Sequence, residues 1–410
     1  EHAKYEDMDM ILEDFDNDGD NDLYVVSGGN EFEPNTPLLK DRLYINNGNG
    51  SFNYNNSSLP DNFSSGMRVS SADFDKDGDI DLFVGGRVVP GSYPLPAESF
   101  LLENISDANG IKFKNADESI FSFKEIGLVT SSVWTDYNND GWEDLVVVGE
   151  WTPIKFYKNM EGKFSEDTSL IDVDSTRGWW YDIISEDFDN DGDMDLVIGN
   201  LGNNYKYQAS GDETFDIFYN DFDKNNSGDI VLSYYSDGEQ YPLRGRQCSS
   251  DQIPAIKTKF QDYDAFSIAT LEDVYTEPDL ENSLHYFTKT FSSVYLENTG
   301  NSFVMNKLPV LAQLSSINKI LSSDIDKDGY KDIIVSGNMF NSEVETPRND
   351  GSVGVYLKYT PGSGFEAVST QKSGLFINGD VKDMEFITLN NDQFIISAKN
   401  DDLIEFTKIK

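Results

Sequence analysis

Short aliphatic runs punctuate the chain at LYVV (23–26), LFVG (82–85), LVVV (145–148), LVIG (196–199), IVLS (230–233) and IIVS (333–336). Each is rich in β-branched side chains and ends at Gly or Ser, which predicts buried β-strands rather than helices. Downstream of several runs lie alternating segments broken by an Asn/Gly turn: LYINNGNGSF (43–52), FYKNMEGKF (156–164) and VYLENTGNSF (294–303). These predict β-hairpins. A strand pair followed by a second hairpin makes four strands, the size of one propeller blade. A last unit, 381–410, keeps the strand rhythm. With it, seven units are expected, and residues 1–410 read as one all-β domain, a seven-bladed β-propeller. The rhythm fails between about 246 and 290, where Phe260, Tyr263, Phe266 and Val274 are helically spaced. A helical insertion between the fifth and sixth repeats is therefore expected, packed on the side of the ring.

Each aliphatic run is preceded by the pattern D-x-D-x-D-G-x-x-D, which adds chemistry to the strands. Positions one, three, five and nine are Asp14, Asp16, Asp18 and Asp22 in the first loop, and Asp73, Asp75, Asp77 and Asp81 in the second. The third has Asp136, Asn138, Asp140 and Asp144; the fourth has Asp187, Asp189, Asp191 and Asp195. A weaker copy carries Asp221, Asp223, Asn225 and Asp229 but has Asn226 where the others have Gly. The last offers Asp324, Asp326, Asp328 and Asp332. Oxygens so spaced converge on one point, as a hard cation with six to eight oxygen ligands requires. Position seven would add a backbone carbonyl, from Asp20, Asp79, Trp142, Asp193, Ser227 and Tyr330 in turn. Ca²⁺ suits such a shell better than Mg²⁺, which keeps its waters. Five calcium sites are expected, with a sixth at 221–229 in question because of Asn226. Position twelve is Val25, Val84, Val147, Ile198, Leu232 or Val335 instead of a bidentate Glu, so these are not EF-hands.

Charge sharpens this picture. The 410 residues hold 74 acidic and 31 basic side chains, a formal net of −43, which argues against nucleic-acid binding. About half of that charge falls within the six loops. With 38% hydrophobic residues the chain has material for a core, so charge does not imply disorder. Cys248 is the only cysteine and His2 and His285 the only histidines, which excludes a disulfide framework and leaves His-based catalysis poorly supplied. No apolar run is long enough to span a bilayer.

These loops, with DLYVVSGGNEF (22–32), DLFVGGRVVPGSYP (81–94), DLVVVGEW (144–151), LVIGNLGNN (196–204), YPLRGRQCSSDQIP (241–254) and DIIVSGNMF (332–340), resemble FG-GAP (VCBS) repeats. Such repeats build integrin α-chain propellers and their bacterial relatives. The likeness is greatest to Bacteroidetes FG-GAP proteins that also carry an ASPIC/UnbV domain. It implies a longer natural chain in which further segments precede Glu1. It also implies an extracytoplasmic setting: secreted, at the cell surface or associated with the outer membrane.

The segments following each aliphatic run share one register and should gather on one face. Asn30, Arg87, Tyr93, Trp151, Asn200, Asn203, Asn338 and Arg348 are the candidate ligand-binding residues there, a mix of aromatics, amides and guanidinium groups suited to a protein or glycan. The chain therefore reads as a non-enzymatic, calcium-stabilised binding or adhesion module, with a protein partner such as a SusC/SusD-like outer-membrane complex. The alternative is a propeller-type polysaccharide lyase or hydrolase, for which no motif outside the metal loops marks a catalytic residue.

Overall fold

The computed structural model describes residues 2–55, 57–342 and 346–409; Glu1 and Lys410, the outer limits of the first and last predicted units, lie outside it. The expected strands form seven antiparallel sheets among these residues. Blade one comprises Asp7–Glu13, Asp22–Ser27, Arg42–Asn46 and Phe52–Asn55. Blade two comprises Gly66–Ala72, Asp81–Gly86, Phe100–Asn104 and Phe113–Asn115. Blade three, Leu128–Thr135, Asp144–Thr152, Lys155–Asn159 and Phe164–Glu166, gains a short edge from Gly178–Trp179. Blade four is discontinuous: Asp182–Glu186 and Asp195–Gly199 pair with Val294–Asn298 and Phe303–Lys307. Blade five is Ile317–Ser323, Asp332–Gly337, Val355–Thr360 and Gly364–Val368; blade six has three strands, Val381–Leu389, Asp392–Lys399 and Glu405–Lys408.

The unit bearing the 221–229 loop is therefore not a successive blade. Its strands, Phe215–Asn220, Asp229–Ser236, Glu239–Pro242 and Leu284–Thr288, form a sheet inserted within blade four. Five short helices between Arg246 and Glu281 lie inside that sheet, between its third and fourth strands. The hairpin 294–303 resumes blade four. Equal strand patterning made the excursion look like another repeat, because register alone does not say which sheet a strand joins.

First strands of the six blades pack side by side in chain order, and apolar clusters fill the five interfaces between them. Alternation along each strand sends one side chain toward the blade before and the next toward the blade after. Thus Tyr24, Val26 and Leu43 meet Val69, Leu82 and Val84 between blades one and two. Phe74 and Phe83 meet Val129, Leu145 and Val147 at the next interface. The inserted sheet packs on blade three through Trp151, Trp179, Phe215 and Ile217. It stands at the end where the first strands begin and the second strands finish.

Candidate metal loops and channel mouth

The acidic loops sit at the opposite end, joining first strand to second. Position four adopts positive φ in each: Asn17, Lys76, Asn139, Asn190, Lys224 and Lys327, all between 56° and 64°. The chain then curls so that position-six amides donate to the first aspartate: Gly19 to Asp14 at 2.9 Å, Gly78 to Asp73 at 3.1 Å and Gly141 to Asp136 at 2.7 Å. Gly192 to Asp187 is 3.1 Å and Gly329 to Asp324 is 3.2 Å. Asn226 makes the same bond to Asp221 at 2.9 Å with φ +67°, a left-handed conformation Asn tolerates. The departure from Gly leaves the turn intact.

Carboxylate oxygens converge within 4.8 Å of one another in five loops: Asp14–Asp16–Asp18, Asp73–Asp75–Asp81, Asp187–Asp189–Asp191, Asp221–Asp223–Asp229 and Asp324–Asp326–Asp328. In the third loop Asp144 accepts instead from the Asn138 amide at 2.6 Å. Oxygens of Asp16, Asp73 and Asp81 are buried with no donor. Buried acceptors without donors are costly unless a cation meets them, so the residues present fit one. Position-seven backbone nitrogens, of Asp20, Asp79, Trp142, Asp193, Ser227 and Tyr330, donate to the position-five side chains, tightening the turn.

Position nine works differently. Asp22, Asp81, Asp144 and Asp195 accept from the backbone N–H of Asn46, Asn104, Asn159 and Asn298 at 2.7–2.8 Å, tying loop to third strand. Asp332 accepts likewise from Tyr359 at 3.0 Å. Burial lifts these carboxyls: Asp22 to about 6, Asp144 and Asp195 to about 7, and Asp81 to about 8. Asp229 and Asp332 are raised by the same cause.

At the far end the first strands carry a second regularity. Five of them contain a β-bulge one or two residues from their start, whose extra residues are Met8, Met67, Thr130, Asn318 and Lys382. A bulge re-aims the side chain it inserts, and all five line one cavity of about 690 Å³. Tyr181 occupies the place in front of blade four. Below them the neck is polar: Arg68 lies 3.1 Å from Asp182 and 3.7 Å from Asp9, and Lys319 lies 2.9 Å from Asp383. Burial raises the Asp9 carboxyl, with Arg68 opposing.

Of the residues expected on the ligand face, Arg87, Tyr93 and Asn338 line this mouth. Arg87 pairs with Glu150 (Nε to Oε1 3.1 Å), and the Tyr93 hydroxyl donates to the other Glu150 oxygen at 3.1 Å. Burial raises the Tyr93 phenol well above its usual range, Glu150 adding to it. Trp151 and Asn200 face inward instead. Trp151 is buried against Trp179 and Phe215, its indole N–H donating to Tyr93; Asn200 is buried and donates to the Thr290 and Ser292 carbonyls. Asn203 bonds Ser292, Asn30 accepts from the Gly91 amide, and Arg348 pairs with Asp350 over the Phe340 ring. None of these three lines the mouth. Bulge residues escaped sequence reasoning because a bulge leaves no mark on the alternating pattern.

Residues 14–84 and 136–198 match the FG-GAP-like repeat family, so the chain carries FG-GAP-like repeats. Comparison with curated proteins gives no match. Among solved structures, the V. cholerae biofilm matrix protein Bap1 is similar at 12% identity and TM-score 0.31, covering 97% of this chain and 85% of Bap1. BBS1N in complex with ARL6DN is similar at 9% identity and TM-score 0.35, with 99% and 93% covered. Values this low carry no functional argument. Among the described residues no helix is long and apolar enough to cross a membrane.

Proposed function

We propose that this chain with its FG-GAP-like repeats is a non-enzymatic, calcium-stabilised binding module that receives a protein or glycan partner at the channel mouth. The observation that supports it most is the alignment of five bulges, which turn one residue from each of five blades into a single cavity. The charged groups here are paired: Arg87 with Glu150, Lys382 with Asp380, and Arg68 with Asp182. Aromatic Trp179 and Tyr181 beside amides Asn318 and Asn341 offer the flat faces and hydrogen bonds that glycans and peptides use. Calcium in the opposite loops would hold the hairpins that set the blades. Such a module suits a calcium-containing, extracytoplasmic surface or outer-membrane assembly.

A glycan array and a pull-down from surface extracts, both in millimolar calcium, test this reading. Retention of a partner that Lys382→Ala and Asn341→Ala weaken, with no product released, is the expected result. Shortened or unsaturated glycan products would overturn it.

A further inference from the structure

The blades serve as controls for one another. The first and third residues of each third strand share a face, and in blades two, four and five they turn toward the preceding blade. There they are Phe100 and Leu102, Val294 and Leu296, and Val355 and Leu357. Blade three puts Lys155 and Tyr157 in these places, in register with Val147 and Leu145. Blade one also has a polar pair, Arg42 and Tyr44, but each has a partner. Arg42 pairs with Asp7, and the Tyr44 hydroxyl lies 2.6 Å from His2 Nδ1.

In blade three neither polar group is met. Every other half-buried lysine among the described residues pairs with a carboxylate, as Lys40 does with Asp61 and Lys319 with Asp383; Lys155 makes no ion pair or hydrogen bond there. Burial pulls its ammonium below the usual lysine range, with Glu166 opposing and Arg177 adding. Tyr157 is fully buried, its ring centre 5.0 Å from that of Phe121 and 5.2 Å from that of Phe123, and its hydroxyl has no partner. An apolar pair, as in the other blades, would spare the fold both unmet groups. Packing therefore does not account for them.

Both residues line a groove of about 440 Å³ between blades two and three, at the end where the mouth lies. Phe121, Ser122 and Ile126 of the connector line it as well. Its rim is acidic: Glu98, Glu125 and Glu166 are exposed, and Lys124 is drawn to Glu118 at 2.8 Å. The interior offers donors and the rim offers negative charge.

We propose that this groove binds a segment of a protein partner in which one carboxylate is flanked by basic residues. The carboxylate pairs with Lys155, the Tyr157 hydroxyl being a second donor about 7 Å along the strand. The flanking cations meet Glu98, Glu125 and Glu166. An acidic glycan carries carboxylates in series without cations, and the same rim would repel it. No residue lines both this groove and the channel mouth, so the site stands apart from that cavity.

The test reads Lys155 directly, in the whole chain in millimolar calcium. Trace acetylation followed by peptide mass spectrometry ranks the lysines by reactivity in the presence of acetyl-Arg-Glu-Arg-amide, acetyl-Arg-Gln-Arg-amide or a galacturonate oligomer. The Glu peptide should protect Lys155 more than any exposed lysine, with an affinity roughly tenfold above that of the Gln peptide, as one charged hydrogen bond implies. Tyr157→Phe should weaken that protection with Tm unchanged or raised, because the free protein loses only an unmet hydroxyl. Equal protection by the two peptides, stronger protection by galacturonate, no protection by any of them, or a Tm lowered by Tyr157→Phe would overturn the proposal.

Discussion

Asp81 shows what one residue asks of its loop. Its carboxyl is buried, accepts from the Asn104 amide and keeps one oxygen without a donor, so burial lifts its pKa to about 8. Unfolded, it would titrate near 4. Between those values the metal-free folded state holds a proton the unfolded chain has lost, so metal-free stability falls as pH rises from about 4 to about 8. A cation held there would act oppositely, since it needs the deprotonated ligand and its affinity rises over the same window. In chelator, the stability advantage of Asp81→Asn over wild type should therefore grow from pH 4 to 8 and level off above. Urea unfolding at successive pH values checks this; a constant advantage would contradict it. The convergence of the loop carboxylates was legible in the sequence because their spacing is a local signal. Asn226 was not, since only its φ of +67° shows that the turn survives the loss of Gly.

Between elements, buried asparagines hold blade to blade. Asn159 donates to Phe74 of the preceding loop at 2.8 Å and to Glu143 of its own at 2.9 Å. Asn159→Ala leaves the buried Phe74 carbonyl and the Gly162 N–H without their partner and should cost about 1–3 kcal/mol, read as a lower urea midpoint at unchanged m-value. No change would mean that water replaces the amide. Strands and hairpins were readable because β-branched runs and Asn/Gly turns are local signals. The destination of a strand is not local. Phe215–Asn220 and Asp229–Ser236 have the rhythm of a blade, yet they pair with each other, and Phe215–Asn220 with Leu284–Thr288, in a sheet of their own. Trp151 misled for a related reason: its position after a strand suggested the rim, but Phe215 of the inserted sheet, with Trp179, covers it.

At the scale of the molecule, one end is acidic and built for cations, the other is a bulge-lined mouth, and a charged neck joins them. Arg68 bridges Asp9 and Asp182 across that neck from a different blade than either. Arg68→Met would take the paired cation from buried Asp182, leaving it Ser131, the Ile320 N–H and the Lys319 charge, with an expected loss of up to about 3–5 kcal/mol; an unchanged Tm would show that the neck is not a structural tie. The neck could not be read from sequence, and the mouth only at Arg87, Tyr93 and Asn338, because both arise where residues far apart in the chain converge. The acid itself could be read, and its concentration in the loops adds like-charge repulsion to the burial cost of the metal-free carboxylates. Each bound ion stabilises by mass action, about 2.7 kcal/mol per site at a hundredfold excess over Kd. The most direct measurement is the Tm of the same protein in millimolar calcium, in magnesium and in chelator. A large upward shift with calcium, lost in chelator and not matched by magnesium, is the expected result; coincident unfolding in all three would contradict the account.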